Sequence, residues 1–173
     1  MEQILLSIQK IKIDSAYGKK KHFNAADRKE INHHRISIAL IVMNVVAVSA
    51  FFYVVMNTGE KLATTIALFI NFFAVVLSWL QTYFNYQKVI QGHRRVGNKY
   101  LSVMKKCTRL QAYLISDIMD NNDIRKAIDD LGEQVDQINQ EAEEYTTNDT
   151  DNYNAHDGIN SDEEEYTKKE LAM

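Results

Sequence analysis

The residues of this chain that could do chemistry are few and scattered. Cys107 is the single cysteine, which excludes an intrachain disulfide and a thiolate metal cluster within one chain. It sits among aliphatic residues at heptad spacing and reads as a small core residue rather than a reactive thiol. His22, His33 and His34 are candidate metal ligands, but neighbours on a helix point about 100° apart. A polar pair beside a basic stretch explains them as well. Asp149, Asp151 and Tyr153 resemble a calcium loop only loosely, with Tyr where a third ligand belongs and Asn154 where glycine is needed. No phosphate-cradling loop, dinucleotide turn or nucleophile elbow is present. An enzyme is not expected, and no cofactor or metal is implied.

The informative polar residues lie inside an apolar run. Thr64, Ala67, Asn71, Ala74, Ser78, Gln81 and Asn85 recur at alternating spacings of 3 and 4, which places them on one helical seam. Every position on it is small or polar, while the residues around it are Leu, Ile, Val and Phe. Ser37, Asn44 and Ala47 make a weaker stripe in the preceding run. Such a seam suits close helix packing with interhelical hydrogen bonds. It equally suits a surface facing water in an assembled pore, because intramembrane polar groups face a bundle interior or cavity. One hairpin cannot enclose a conduit, so a pore requires several copies. No charged ring lies in the seam, so strong ion selectivity is not expected.

The elements that position this seam are two uncharged runs, 36–56 and 62–80, the second extending through 84. They are joined by Asn57-Thr58-Gly59-Glu60-Lys61. At 1.5 Å per residue the first covers about 31 Å, the thickness of a bilayer's hydrocarbon core. Both flanks are basic: residues 10–35 carry eight Lys and Arg, and residues 88–109 carry seven with no acid among them. The positive-inside rule therefore puts both termini in the cytoplasm, and Tyr53, Trp79, Tyr83 and Tyr86 fall where aromatic belts form.

Charge divides the rest of the chain. Residues 1–110 carry sixteen Lys and Arg against five Asp and Glu, and residues 111–173 carry four against eighteen. Proline is absent, where average usage predicts about eight, so long uninterrupted helices are expected. Ile4, Leu5, Ile8 and Ile11 predict a short amphipathic helix over 2–13, broken at Asp14-Ser15-Ala16-Tyr17-Gly18. A second helix starts at Asn24 and enters the membrane. Beyond Tyr86, Val96, Tyr100, Val103, Cys107, Leu110 and Leu114 form one heptad seam. Ile124, Ile128, Leu131, Val135, Ile138 and Ala142 form another, with Asn122 or Asp123 as its N-cap. The first helix is basic and the second acidic, so they can pair within the chain or between subunits. From 146 the chain is acidic and poor in large aliphatics, which predicts disorder or a short helix around 166–171.

The expected architecture is an all-α membrane protein. It comprises an N-terminal basic helical segment (1–35), a transmembrane hairpin (36–86), a cytosolic helical hairpin or coiled coil (87–145) and an acidic tail (146–173).

Three stretches give a family resemblance: Phe23-Asn24-Ala25-Ala26-Asp27-Arg28 ahead of the first span, Asn98-Lys99-Tyr100-Leu101 in the basic helix, and the acidic end from Asp162-Glu163-Glu164-Glu165 to Leu171. In this order, around a two-span hairpin, they resemble the SLATT proteins, the SMODS and SLOG-associating two-transmembrane effectors of bacteria, over about residues 15–171. The resemblance implies an effector of conflict or anti-phage systems, encoded beside a nucleotide-generating or nucleotide-sensing partner or a reverse transcriptase. It also implies perforation of the inner membrane on activation, for which a two-span chain has to form homo-oligomers. No residue roles carry over, and sequence-specific nucleic-acid binding is not expected. The rival reading is a two-span anchor that recruits a soluble partner through its cytosolic helices. A small-molecule carrier is disfavoured, because no charged or glycine-broken span marks a substrate site.

Overall fold

The computed structural model describes residues 2–56, 61–116 and 118–161, and nearly all of these are helical, with no strand among them. The expected outer loop at 57–60, the acidic motif from Asp162 and the helix expected around 166–171 lie outside the described residues. Five helices follow one another: α1 Glu2–Met56, α2 Lys61–Phe84, α3 Tyr86–Ile115, α4 Asn121–Glu143 and α5 Asp149–Asn160. They fall into two compact units, residues 28–89 on the one hand and the segments before 28 and after 89 on the other.

The expected break at 14–18 is not there. Helix α1 runs through it without interruption, because nothing in Asp14-Ser15-Ala16-Tyr17 forbids helix and Gly18 has a packing role. A Cβ on Gly18 would lie 2.9 Å from the Tyr100 ring. The glycine therefore costs helix propensity, about 1 kcal/mol relative to alanine, but lets α3 approach closely.

The first unit is a helical bundle built from the start of α1 with α3, α4 and α5. Its core joins Ile8 to Val96, Tyr100, Val103, Cys107, Leu110 and Leu114 of α3, to Ile124, Leu131 and Ile138 of α4, and to Tyr145. Ile128 and Val135 pack partly buried against it. Both heptad seams are thus buried inside one chain. Of the two pairings open to them, the helices of the chain make the intrachain one, and a subunit contact has to use another surface. Gly92 seats Tyr145 on α3, since a Cβ there would fall 1.9 Å from the ring. Arg95 and Lys99 reach across to Glu141, and Tyr100 donates to Asn139 Oδ1 at 2.6 Å.

Two further expectations are corrected. Helix α4 is capped by Asp120 rather than by Asn122 or Asp123, and Asp120 makes no side-chain cap bond. Its carbonyl instead receives the backbone N–H groups of Asp123 and Ile124. The acidic tail also begins as helix: α5 opens with a capping box in which Asn148 and Asp151 each bond the other's backbone N–H. Asp151, Ala155 and Gly158 of α5 are buried. Reciprocal capping and a small-residue packing face order a segment whose composition alone suggested none.

The second unit is the hairpin of α1 from residue 28 onward and α2. Its two apolar helices are long enough to cross a membrane, and only 11% of each apolar window is buried in the chain. Val45, Phe52, Phe69, Phe73 and Val75 stand exposed. A helix apolar on all faces and uncovered by protein is stable only in lipid.

Candidate functional site

The hairpin splits the polar seam of α2 between two environments. Ala67 and Ala74 are buried against α1, where Leu40 and Ala47 form the facing surface. Alanine at these positions removes bulk and lets the backbones approach. Gln81 is half-buried and donates from Nε2 to Ser37 Oγ at 2.8 Å, and Ser37 in turn donates to the His33 carbonyl at 2.9 Å. This chain of bonds ties the two spans together near the end of α2.

Thr64, Asn71 and Ser78, each seven residues from the next, are exposed on the flank of the buried alanines, as is Asn44 on α1. Asn71 turns its amide back to the Ala67 carbonyl at 2.9 Å. Thr65, Thr82 and Ser49 likewise bond the carbonyl four residues earlier, which satisfies hydroxyls inside the helix where no water is available. Asn85, expected as the last seam residue, is not on the helix. It has φ 38° between α2 and α3, a left-handed conformation that asparagine tolerates better than most residues. Asn85 thus ends the spanning helix instead of extending its polar face. Trp79 and Tyr83 stack with centroids 5.6 Å apart just before it, and Tyr86 lies 5.9 Å from the His33 ring.

The bundle holds a second polar arrangement that the hydropathy pattern gave no sign of. Lys12, Ser15, Lys19 and His22 of α1 are buried, with His93 and Gln111 of α3 and Asp151 of α5. Lys12 Nζ donates to Gln111 Oε1 at 3.4 Å, and Asn24 donates to the Asp151 carbonyl at 3.3 Å. His22 Nδ1 and His93 Nδ1 lie 3.1 Å apart, so one ring donates and the other accepts. Burial first, then the neighbouring His93, holds His22 down to about 4, against a smaller opposing pull from Asp151. His22 is therefore neutral at pH 7. Burial pushes the Cys107 thiol up to about 11, opposed by Lys12, so it stays protonated and behaves as a core residue. His33 and His34 do not join His22, which pairs with His93 instead. Among the described residues no three His, Cys, Asp or Glu side chains converge as a metal site would require. The one sequence sign of this buried track was the spacing of Lys12, Ser15, Lys19 and His22, a single helical face whose residue types resemble a solvated one.

A family model, SMODS and SLOG-associating 2TM effector domain family 4, matches residues 7–170. No curated protein and no solved structure matches the chain. The match spans both spanning helices, the bundle and the acidic end, and it begins at residue 7, ahead of the resemblance read from the motifs, which began at about residue 15. With its all-helical fold and its two membrane-spanning helices, the chain belongs to the SMODS and SLOG-associating two-transmembrane effector domain family.

Proposed function

We propose that this protein is an oligomeric membrane effector of a bacterial anti-phage or conflict system. A nucleotide signal, or the partner protein that makes or senses it, acts on the helical bundle. The hairpins of several copies then rearrange so that the polar seam becomes wet, and the perforated inner membrane arrests or kills the cell. Both termini lie in the cytoplasm in this reading, in keeping with the basic residues flanking the hairpin.

The observation that supports it most is the stripe of Thr64, Asn71 and Ser78, exposed among large apolar residues such as Ile66, Leu68, Phe72 and Val75. Polar groups at membrane depth face a neighbour or a cavity, and Asn71 and Ser78 stay exposed with α1 of the same chain beside them. In this reading a resting assembly packs the stripe, and activation turns it toward water, with Gln81, Ser37 and Asn44 beside it. The test is expression with the activating partner while a potential-sensitive dye is followed. Wild type depolarises the cells. Asn71→Leu combined with Ser78→Leu abolishes depolarisation while the protein still inserts; unchanged depolarisation and unchanged assembly would refute the seam.

The charged outer surfaces of α3 and α4 favour a second reading, a two-span anchor whose bundle recruits a soluble partner. Replacing residues 36–84 by an unrelated hairpin separates the two. An anchor keeps its function after the exchange, and an effector loses it.

A further inference from the structure

The charges of the bundle are sorted by helix. Helix α3 carries seven Lys and Arg and no acid, and α4 carries seven Asp and Glu against Arg125 and Lys126. Within the chain, Arg95 and Lys99 converge on the one carboxylate of Glu141. Lys105 and Arg109, four residues apart, are exposed on α3 and pair with no acid among the described residues. Asp129, Glu133 and Asp136, at spacings of 4 and 3, are exposed on α4 and point away from its buried face of Ile124, Leu131 and Ile138. The bundle thus presents a cationic ridge and an anionic ridge on adjacent helices.

We infer that these ridges join copies of the chain head to tail, the Lys105–Arg109 face of α3 on one subunit meeting the Asp129–Asp136 face of α4 on the next. The occupant is a second copy because the chain carries both halves of the complementary pair. Like charges directly apposed are repulsive, so α3 against α3 and α4 against α4 are disfavoured. Two-fold contacts through either ridge are thereby suppressed. What remains is α3 against α4. A reciprocal two-fold pairing of the adjacent ridges stops at a dimer, whereas the head-to-tail contact, each subunit using one ridge toward each neighbour, repeats and closes into a ring when the rotation allows. The heptad seams, which by sequence suited a contact within the chain or between subunits, are buried inside the chain, whereas these ridges are open. The inference rests on the oligomeric reading proposed above and adds the surface that makes the oligomer. Exposed ion pairs are individually weak, so the contact acts together with the hairpins. It also depends on salt, because the Debye length falls from about 8 Å at physiological ionic strength to about 3 Å at 1 M.

The test uses the full chain in detergent, with mass read by light scattering. One variant reverses the cationic ridge (Lys105→Glu with Arg109→Glu), and the other reverses the anionic ridge (Glu133→Lys with Asp136→Lys). Each alone is expected to weaken self-association by roughly tenfold or more. Mixed in equal amounts they reassemble, because the reversed α3 of one variant now meets the reversed α4 of the other. Circular dichroism checks that each variant retains its helices. If wild type is oligomeric and both variants keep its mass, or if folded variants fail to recover on mixing, the ridges are not the contact, while the oligomeric reading stands. If wild type is itself a monomer, that reading falls as well. Binding of the cationic variant's parent surface to anionic vesicles or nucleic acid in place of a second copy, with no recovery on mixing, also overturns the inference.

Discussion

Helix α1 is one unbroken helix with two opposite rules of burial. Before residue 28 it buries Lys12, Ser15, Lys19 and His22 and leaves Leu6 58% exposed; beyond residue 36 it exposes Val45 at 62%, together with Phe51 and Phe52. The contrast shows that side-chain polarity does not by itself set which face of a helix is covered. The medium does. In the bundle, water takes up exposed charge at no cost, and the buried Lys12 and His22 are met by Gln111 and His93. In the hairpin, lipid takes up exposed aliphatics, and the covered face is the one where small residues let the backbones meet.

The largest expected effect comes from giving both halves the same change. A lysine in place of Val45, near the middle of the first span, makes insertion less favourable by about 2.5–3.5 kcal/mol. Leu6→Lys, at nearly the same exposure, changes stability by no more than about 0.5 kcal/mol. A quantitative insertion assay on the 36–56 segment and a denaturation curve on the whole protein measure the two. Equal, small effects would mean that α1 meets water along its whole length.

The next effect belongs to the buried histidines. His22 stands at about 4, below its ordinary 6.5, so between those values the unfolded chain binds a proton that the native bundle does not. Stability is therefore fully present above pH 6.5 and is lost as pH falls toward 4. Between pH 7 and pH 5 the shifted His22 should cost the bundle up to roughly 2 kcal/mol, read as a drop in the urea midpoint by circular dichroism. His22→Asn flattens that dependence. A wild-type midpoint that does not move between pH 7 and pH 5 would show that the pair is open to solvent.

How much of this was legible in the sequence follows the same division. The hairpin was easy to read, because uncharged runs of bilayer length have few competing explanations, and α2 ends at Phe84 where the second run was expected to stop. The heptad seams of α3 and α4 were legible down to single residues, Val96 to Leu114 and Ile124 to Ile138, since each is an apolar stripe on a polar helix. Their intrachain pairing was not, because two helices of opposite charge suit both an intrachain and an intersubunit contact. The buried track of α1 was hidden for a stronger reason. Lys12 and Lys19 look solvated to any rule based on polarity, and only the arrival of α3 and α5 covers them. Gly18 and the capping box at Asn148 were similarly ambiguous: glycine serves as a breaker or as a close-approach site, and an acidic stretch serves as a coil or as a capped helix. Asn85 belongs to the seam by spacing and leaves it by conformation, which no spacing can reveal.

The smallest effects set one polar contact of each unit against the other. In the hairpin, Gln81 joins the two spans through Ser37. Gln81→Leu should weaken their association by about 0.6–2 kcal/mol, with no dependence on salt, because neither partner is charged. In the bundle, a hydrogen bond from Lys99, followed by that from Arg95, holds the Glu141 carboxyl below the usual range. Glu141→Gln removes the charge and keeps the shape. Its loss should be the smaller of the two at low salt and should vanish near 1 M, where the Debye length is about 3 Å. Thermal melts of both variants across a salt series make the comparison. If the Gln81→Leu loss also shrinks with salt, the end of the hairpin is bathed in water, and the boundary between the two burial rules of α1 lies deeper in the spans than residue 37.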